Sequence, residues 1–185
     1  MLDNLLNLVR KNAGDAVENN PAIPNEKNEA AVQDAGNSIE NTLKAALASG
    51  KIEDVLAFFK SGNANPDTPI VHDATVNYAN DLQKNYGLDT TKAQEVANKV
   101  VPSTMNELAS KTNDPNDKSF NIQDIFNNLT GGKTSGFNME RMLNKFTGGK
   151  LDKDGDGDVD LNDLKNLFAG GSTGGLMDKV KGMFK

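Results

Sequence analysis

Apolar residues return every three or four positions along most of this chain, the spacing of amphipathic helices. In residues 2–17, Leu2, Leu5, Leu6, Val9, Ala13, Ala16 and Val17 share one stripe, and Pro21 and Pro24 end the segment. Asn25 is placed to cap a second helix, with Glu26 and Glu29 in its first turns. Val32, Ala35, Ile39, Leu43, Ala46 and Leu47 form its apolar face, and Gly50 stops it. A shorter helix buries Ile52, Val55, Leu56 and Phe59, and a turn-rich connector, SGNANPDTP, follows. A fourth helix runs from about Ile70 to Tyr86 and ends at Gly87. Asp89 or Thr90 caps a fifth, which carries Ala93, Val96, Ala97, Val100 and Val101. Pro102 is expected to start or kink a sixth, with Met105 and Leu108 inside. No stretch alternates with period two, so the expected fold class is all-α.

The style changes after the polar segment KTNDPND (111–117), where a domain boundary is expected. Residues 1–112 read as a compact helical domain. Residues 113–185 read as a smaller domain of short helices ended by glycine pairs. That half contains a repeat. FNIQDIFNNLTGGK (120–133) aligns with FNMERMLNKFTGGK (137–150), and DLKNLFAGG (163–171) is a looser third copy. Helices this short are marginal alone and must pack on one another, on the first domain or on a partner. The last residues, GLMDKVKGMFK (175–185), hold Leu176, Met177, Val180, Met183 and Phe184 on one side, with Lys179, Lys181 and Lys185 elsewhere. This pattern suits a helix docked on its own protein, on a partner or weakly on a membrane surface.

Between the second and third copies lies the stretch whose chemistry is most explicit. In LDKDGDGDVDLNDL (151–164), counting from Asp152 puts Asp152, Asp154, Asp156, Asp160 and Asp163 at positions 1, 3, 5, 9 and 12. Gly157 falls at position 6, where the chain turns sharply, and Asp158 at position 7 offers its backbone carbonyl. Calcium wants six to eight oxygens on a flexible shell, and alternate residues of a tight loop aim at one centre. Six aspartates against Lys153 repel one another without a cation. The spacing is that of an EF-hand, so the expected cofactor is Ca2+, held by Asp152, Asp154, Asp156, Asp158, Asp160 and Asp163.

Two departures qualify the resemblance. Position 12 is Asp163 rather than the usual glutamate, which predicts weaker bidentate binding and better tolerance of magnesium. Gly148 and Gly149 interrupt the incoming helix. With these features DGDGDVDLNDLKNLF also resembles a dockerin calcium loop, although dockerins carry two loops and one is present here. A single unpaired loop suits a structural clamp better than a sensor.

In the first half, SGKIEDVLAFFKSGN and GLDTTKAQEVANKVVPSTMNELASKTND carry a short helix ending Ser61-Gly62-Asn63, then Gly87-Leu88-Asp89 opening a helix, then Val101-Pro102 and Leu108. Over roughly residues 43–115 this resembles the YidB-like family of bacterial proteins. The resemblance implies a compact all-helical domain and no reaction.

Composition narrows the function classes. The net charge of -6 argues against a general nucleic-acid binder. The chain holds no cysteine, which removes disulfides, thiolate metal sites and a cysteine nucleophile. His72 beside Asp73 is a neighbour pair without a nucleophile motif. GGKTSG (131–136) lacks the spacing and preceding strand of a phosphate loop. Mean hydropathy is -0.57 and no apolar run approaches the roughly 20 residues of a membrane span. MLDNLLNLVRKNA is unlike a secretory signal, so a cytoplasmic location is expected. The reading is a calcium-binding, non-enzymatic structural or interaction protein, with an unidentified protein partner or self-association. The alternative is a peripheral membrane protein using its terminal amphipathic helices.

Overall fold

Helix-forming stripes and glycine stops become seven α-helices in a computed structural model, which describes residues 2–145. They are α1 (Leu2–Val17), α2 (Asn28–Ala48), α3 (Ile52–Ser61), α4 (Pro69–Tyr86), α5 (Thr90–Thr112), α6 (Ile122–Thr130) and α7 (Met139–Lys145). Short 3-10 turns occupy Asn25–Lys27 and Lys118–Phe120. No strand occurs among the described residues, as the helical periodicity predicts.

The four longest helices form a closed ring, α1 on α2, α2 on α4, α4 on α5 and α5 back on α1. Leu5, Val9, Ile39, Leu43, Tyr78, Leu82, Val100 and Val101 fill its centre, all fully buried. Each large apolar side chain of this kind contributes about 1.5–3 kcal/mol. Helix α1 is bent where Gly14 leaves helical geometry (φ 21°, ψ -123°). The bend lets Ala13 and Val17 stay buried together with Leu5, Leu8 and Val9. At Gly36 of α2 an added Cβ would lie 2.7 Å from Leu6 Cδ2, so the missing side chain sets how closely α1 and α2 approach.

Polar contacts fix the ring's register. Ser38 donates to Asp81 at 2.9 Å and Asn77 to Thr42 at 3.0 Å, joining α2 to α4. Tyr86 and Asn85 both donate to Asp34 Oδ2, at 2.8 and 3.0 Å. Glu107 accepts from Lys11 at 2.6 Å and from Asn12 at 3.1 Å, joining α5 to α1. The Lys11 bond, ahead of the cost of partial burial, holds Glu107 below the usual glutamate range.

Two local expectations change. Pro102 does not start a separate sixth helix: α5 runs as one helix from Thr90 to Thr112 with Pro102 buried inside it. Proline in a helix interior costs about 3 kcal/mol. Val100, Val101, Met105 and Leu108, all fully buried on the same helix, outweigh that cost. Asn25 does not cap α2. It opens the 3-10 turn Asn25–Lys27, and α2 begins after Lys27 without a side-chain cap. The cap of α5 is Asp89, whose carboxylate accepts from Lys92 N at 2.9 Å. The stops at Gly50, Gly62 and Gly87 fall where the sequence places them.

Helices α6 and α7 join the same buried cluster as α1–α5. Helix α6 packs on α2, and α7 packs on α3 and α6. Phe126 is fully buried, with its ring 6.1 Å from that of Phe59 on α3. Asn4 Nδ2 donates to Ser119 O at 2.9 Å, tying α1 to the turn before α6.

Three buried side-chain atoms among the described residues lack a hydrogen-bond partner: Asn28 Oδ1, Thr104 Oγ1 and the Tyr78 hydroxyl. Tyr78 is fully buried and its hydroxyl makes no hydrogen bond to a protein group. Burial, followed by the nearby Tyr86 and Asp34, pushes its ionisation far above the ordinary tyrosine range. A desolvated, unpaired polar group costs about 1–3 kcal/mol, so Tyr78→Phe is expected to leave stability unchanged or raise it by up to about 1 kcal/mol. Urea denaturation measures this. A loss of more than about 1 kcal/mol would mean that the hydroxyl is bonded to buried water.

Candidate functional site

The six aspartates expected to hold calcium, Asp152, Asp154, Asp156, Asp158, Asp160 and Asp163, lie outside the described residues. So do the third repeat copy and the segment 175–185. The described chain ends in the two repeat helices that lead toward them.

Both copies are built alike. In the first, Asn121 Oδ1 accepts from Gln123 N at 2.8 Å and Asp124 N at 3.3 Å, capping α6. In the second, Asn138 Oδ1 accepts from Arg141 N at 2.8 Å, capping α7. A phenylalanine precedes each cap: Phe120 is buried and Phe137 half-buried against the core. Ile122, Ile125 and Leu129 of α6 point inward, as do Met139 and Met142 of α7. Gly131 ends α6 in the left-handed region (φ 64°). Gln123 joins the copies, accepting from Met139 N at 3.0 Å and donating to Thr134 O at 3.1 Å.

That arrangement absorbs GGKTSG into structure. Thr134 is fully buried and donates to Asn127 Oδ1 at 2.9 Å, so the hydroxyl that a phosphate loop would present faces inward. His72 is exposed on the first turn of α4, its Nδ1 3.7 Å from Asp73 Oδ1. Thr42, which lines the same groove as His72, gives its hydroxyl hydrogen to Ser38 O at 2.7 Å. Among the described residues no group of three His, Cys, Asp or Glu side chains converges on a possible metal position.

No family model, curated protein or solved structure matches the chain. The likeness to YidB-like proteins therefore rests on the residues quoted for it.

The apolar stripe of α1 is turned into the ring, with Leu5, Val9, Ala13 and Val17 fully buried. No described helix is long and apolar enough to cross a membrane.

Sequence reading missed one feature, an open cleft of about 700 Å³ between the end of α5, the loop after it, α6 and α7. Its floor is Phe120, Ile122 and Leu143, and its walls carry Asp114, Asp117, Asp124 and Glu140 against Lys118. Asp114 and Asp117 share the segment KTNDPND, but Asp124 and Glu140 lie on α6 and α7, so no local motif marks the set. Asp117 is ion-paired with Lys111 at 2.7 Å. The Lys111 bond, then the Ser119 hydroxyl and backbone N–H, draw its pKa from 3.8 down to about 2. A depressed acid stabilises the fold at pH above its ordinary value, and that contribution is lost as pH falls through about 2. Asp117→Asn is expected to flatten the acid limb of stability between about pH 4 and pH 2. Thermal melts across that range, against the parent protein, measure it.

Proposed function

We propose that this chain is a calcium-binding, non-enzymatic structural or protein-interaction protein in which the ion holds its C-terminal helices in place. One observation carries the reading: Asp152, Asp154, Asp156, Asp160 and Asp163 occupy positions 1, 3, 5, 9 and 12 of an EF-hand register, with Gly157 at position 6. Every side-chain donor offered is a carboxylate oxygen, which fits a hard cation.

The repeat supports it independently. Sliding the first copy along the chain brings Asp160 to the place of the cap Asn121, and Asp163 to the place of Asp124. Leu161, Leu164 and Phe168 then fall at the places of the buried Ile122, Ile125 and Leu129, and Gly170 at that of the stop Gly131. The last two ligand carboxylates are thus also the cap and first-turn acid of a third repeat helix. Both positions suit negative charge at a helix N-terminus. Bound calcium supplies the positive charge that lets five carboxylates converge. On this reading the YidB-like half is the scaffold that carries the loop.

Calorimetric titration of calcium chloride, then magnesium chloride, into chelator-treated protein tests the proposal. One site preferring calcium is expected, with Kd in the range of roughly 10⁻⁶–10⁻³ M. Absence of calcium binding would overturn the reading, and nanomolar affinity would overturn the role given to the short Asp163. The membrane alternative is left with residues 175–185 as its amphipathic terminal segment, because the stripe of α1 is buried. Co-sedimentation with anionic vesicles, with and without calcium, is its test.

A further inference from the structure

We propose that the acidic cleft between α5, α6 and α7 is the intramolecular docking site of the chain's own residues 175–185. Three observations meet there. The cleft walls carry Asp114, Asp117, Asp124 and Glu140 against one lysine, Lys118. Of these acids only Asp117 has a salt bridge within the described residues. Asp114 accepts a backbone N–H from Asn116 and Glu140 accepts from the Asn121 amide, both uncharged donors, although Asp114 also lies within the field of Lys111.

The segment 175–185 has the opposite balance, Lys179, Lys181 and Lys185 against Asp178. Its apolar residues Leu176, Met177, Val180, Met183 and Phe184 recur at helical spacing. As a helix it would be about 16 Å long. Its apolar face would lie over Phe120, Ile122 and Leu143, themselves largely buried, so the contact rests mainly on the lysines reaching the acidic walls.

Charge also decides between possible occupants. The loop from Asp152 to Asp163 holds six aspartates and one lysine, so even with one divalent ion bound it is repelled by the cleft. The lysine-bearing terminus is attracted. The described chain leaves α7 at Lys145, next to the cleft residues Leu143 and Asn144. The intervening residues 146–174 are long enough to turn back, since closing longer loops adds little entropic cost.

The inference does not depend on calcium binding. Its test uses the full chain, which has no native cysteine, with a nitroxide attached at Gly175→Cys. The expected result is loss of backbone NMR signal for Phe120, Ile122, Asp124 and Asn144, weakening in high salt. Lys179→Glu with Lys181→Glu is expected to restore those signals, and adding Asp114→Lys with Asp124→Lys to that pair should remove them again. Circular dichroism confirms that each variant is folded. No signal loss in the cleft would overturn the proposal, as would loss that ignores the charge swaps. A sample mixing isotope-labelled, nitroxide-free chains with nitroxide-labelled chains separates copies. Signal loss there would assign the cleft to a second copy's terminus and overturn the intramolecular form.

Discussion

Phe126→Ala is expected to destabilise the fold by about 3–5 kcal/mol, the range for truncating a fully buried phenylalanine. Phe126 belongs to the first repeat copy, but its ring lies beside Phe59 of α3. Phe59 in turn sits edge-on to Phe58 at 4.9 Å. The substitution leaves a cavity at the seam between the repeat helices and the ring, where neither side can collapse alone. In a protein of this size the fall in Tm is on the order of 10 °C. Because α6 shares its buried cluster with α1–α5, the loss is expected in one cooperative transition, with helical signal and aromatic near-UV signal melting together. Two separate transitions, with only the first shifted, would mean that the repeat helices are an independent unit. An exposed position such as Asn128 on the same helix is the control, expected within about 0.5 kcal/mol of the parent.

The second large effect concerns the loop. Asp154→Asn together with Asp156→Asn is expected to weaken calcium binding on the order of 100-fold or more, because affinity in such loops follows the ligand charge count. The amides keep oxygen donors at the same positions, so the change isolates charge from geometry. Asp160→Asn is expected to do less. It keeps a side chain of the type that caps α6 and α7, and position 9 often reaches the ion through water. Calorimetry gives the affinities, and far-UV circular dichroism with and without calcium reads the helix gained on binding. Unchanged affinity in the double variant would remove the loop from the calcium site altogether. A loss of affinity with no change in the calcium-induced helix signal would separate binding from the clamp.

Much of the architecture was legible because helix patterns are local. The stripes that predict α2, α3 and the first part of α5 are the residues buried there, and the glycine stops need only the chain nearby. What escaped depended on distant partners. Pro102 breaks helices in isolation, yet Val100, Val101, Met105 and Leu108 on either side are buried deeply enough to carry α5 through it. Asn25 has the chemistry of a cap but lies at the start of a 3-10 turn. Leu8, outside the stripe drawn from residues 2–17, is also buried, three residues on from Leu5 on the same face of α1. The candidate calcium loop was legible for the opposite reason, all its ligands lying within one short stretch. The acidic cleft was not, because Asp114 and Glu140 meet only after α6 and α7 have folded back.

Helix α1 has a consequence for how this protein is made. Its stripe packs on both α2 and α5, and the bond from Lys11 to Glu107 spans 96 residues. During synthesis Leu5, Leu8 and Val9 therefore leave the ribosome long before the α5 side of their covering surface exists. At about 5–20 residues per second the delay is several seconds, far longer than helix formation itself. The nascent chain carries a sticky amphipathic helix through that interval, the kind of segment that holdase chaperones and aggregation compete for.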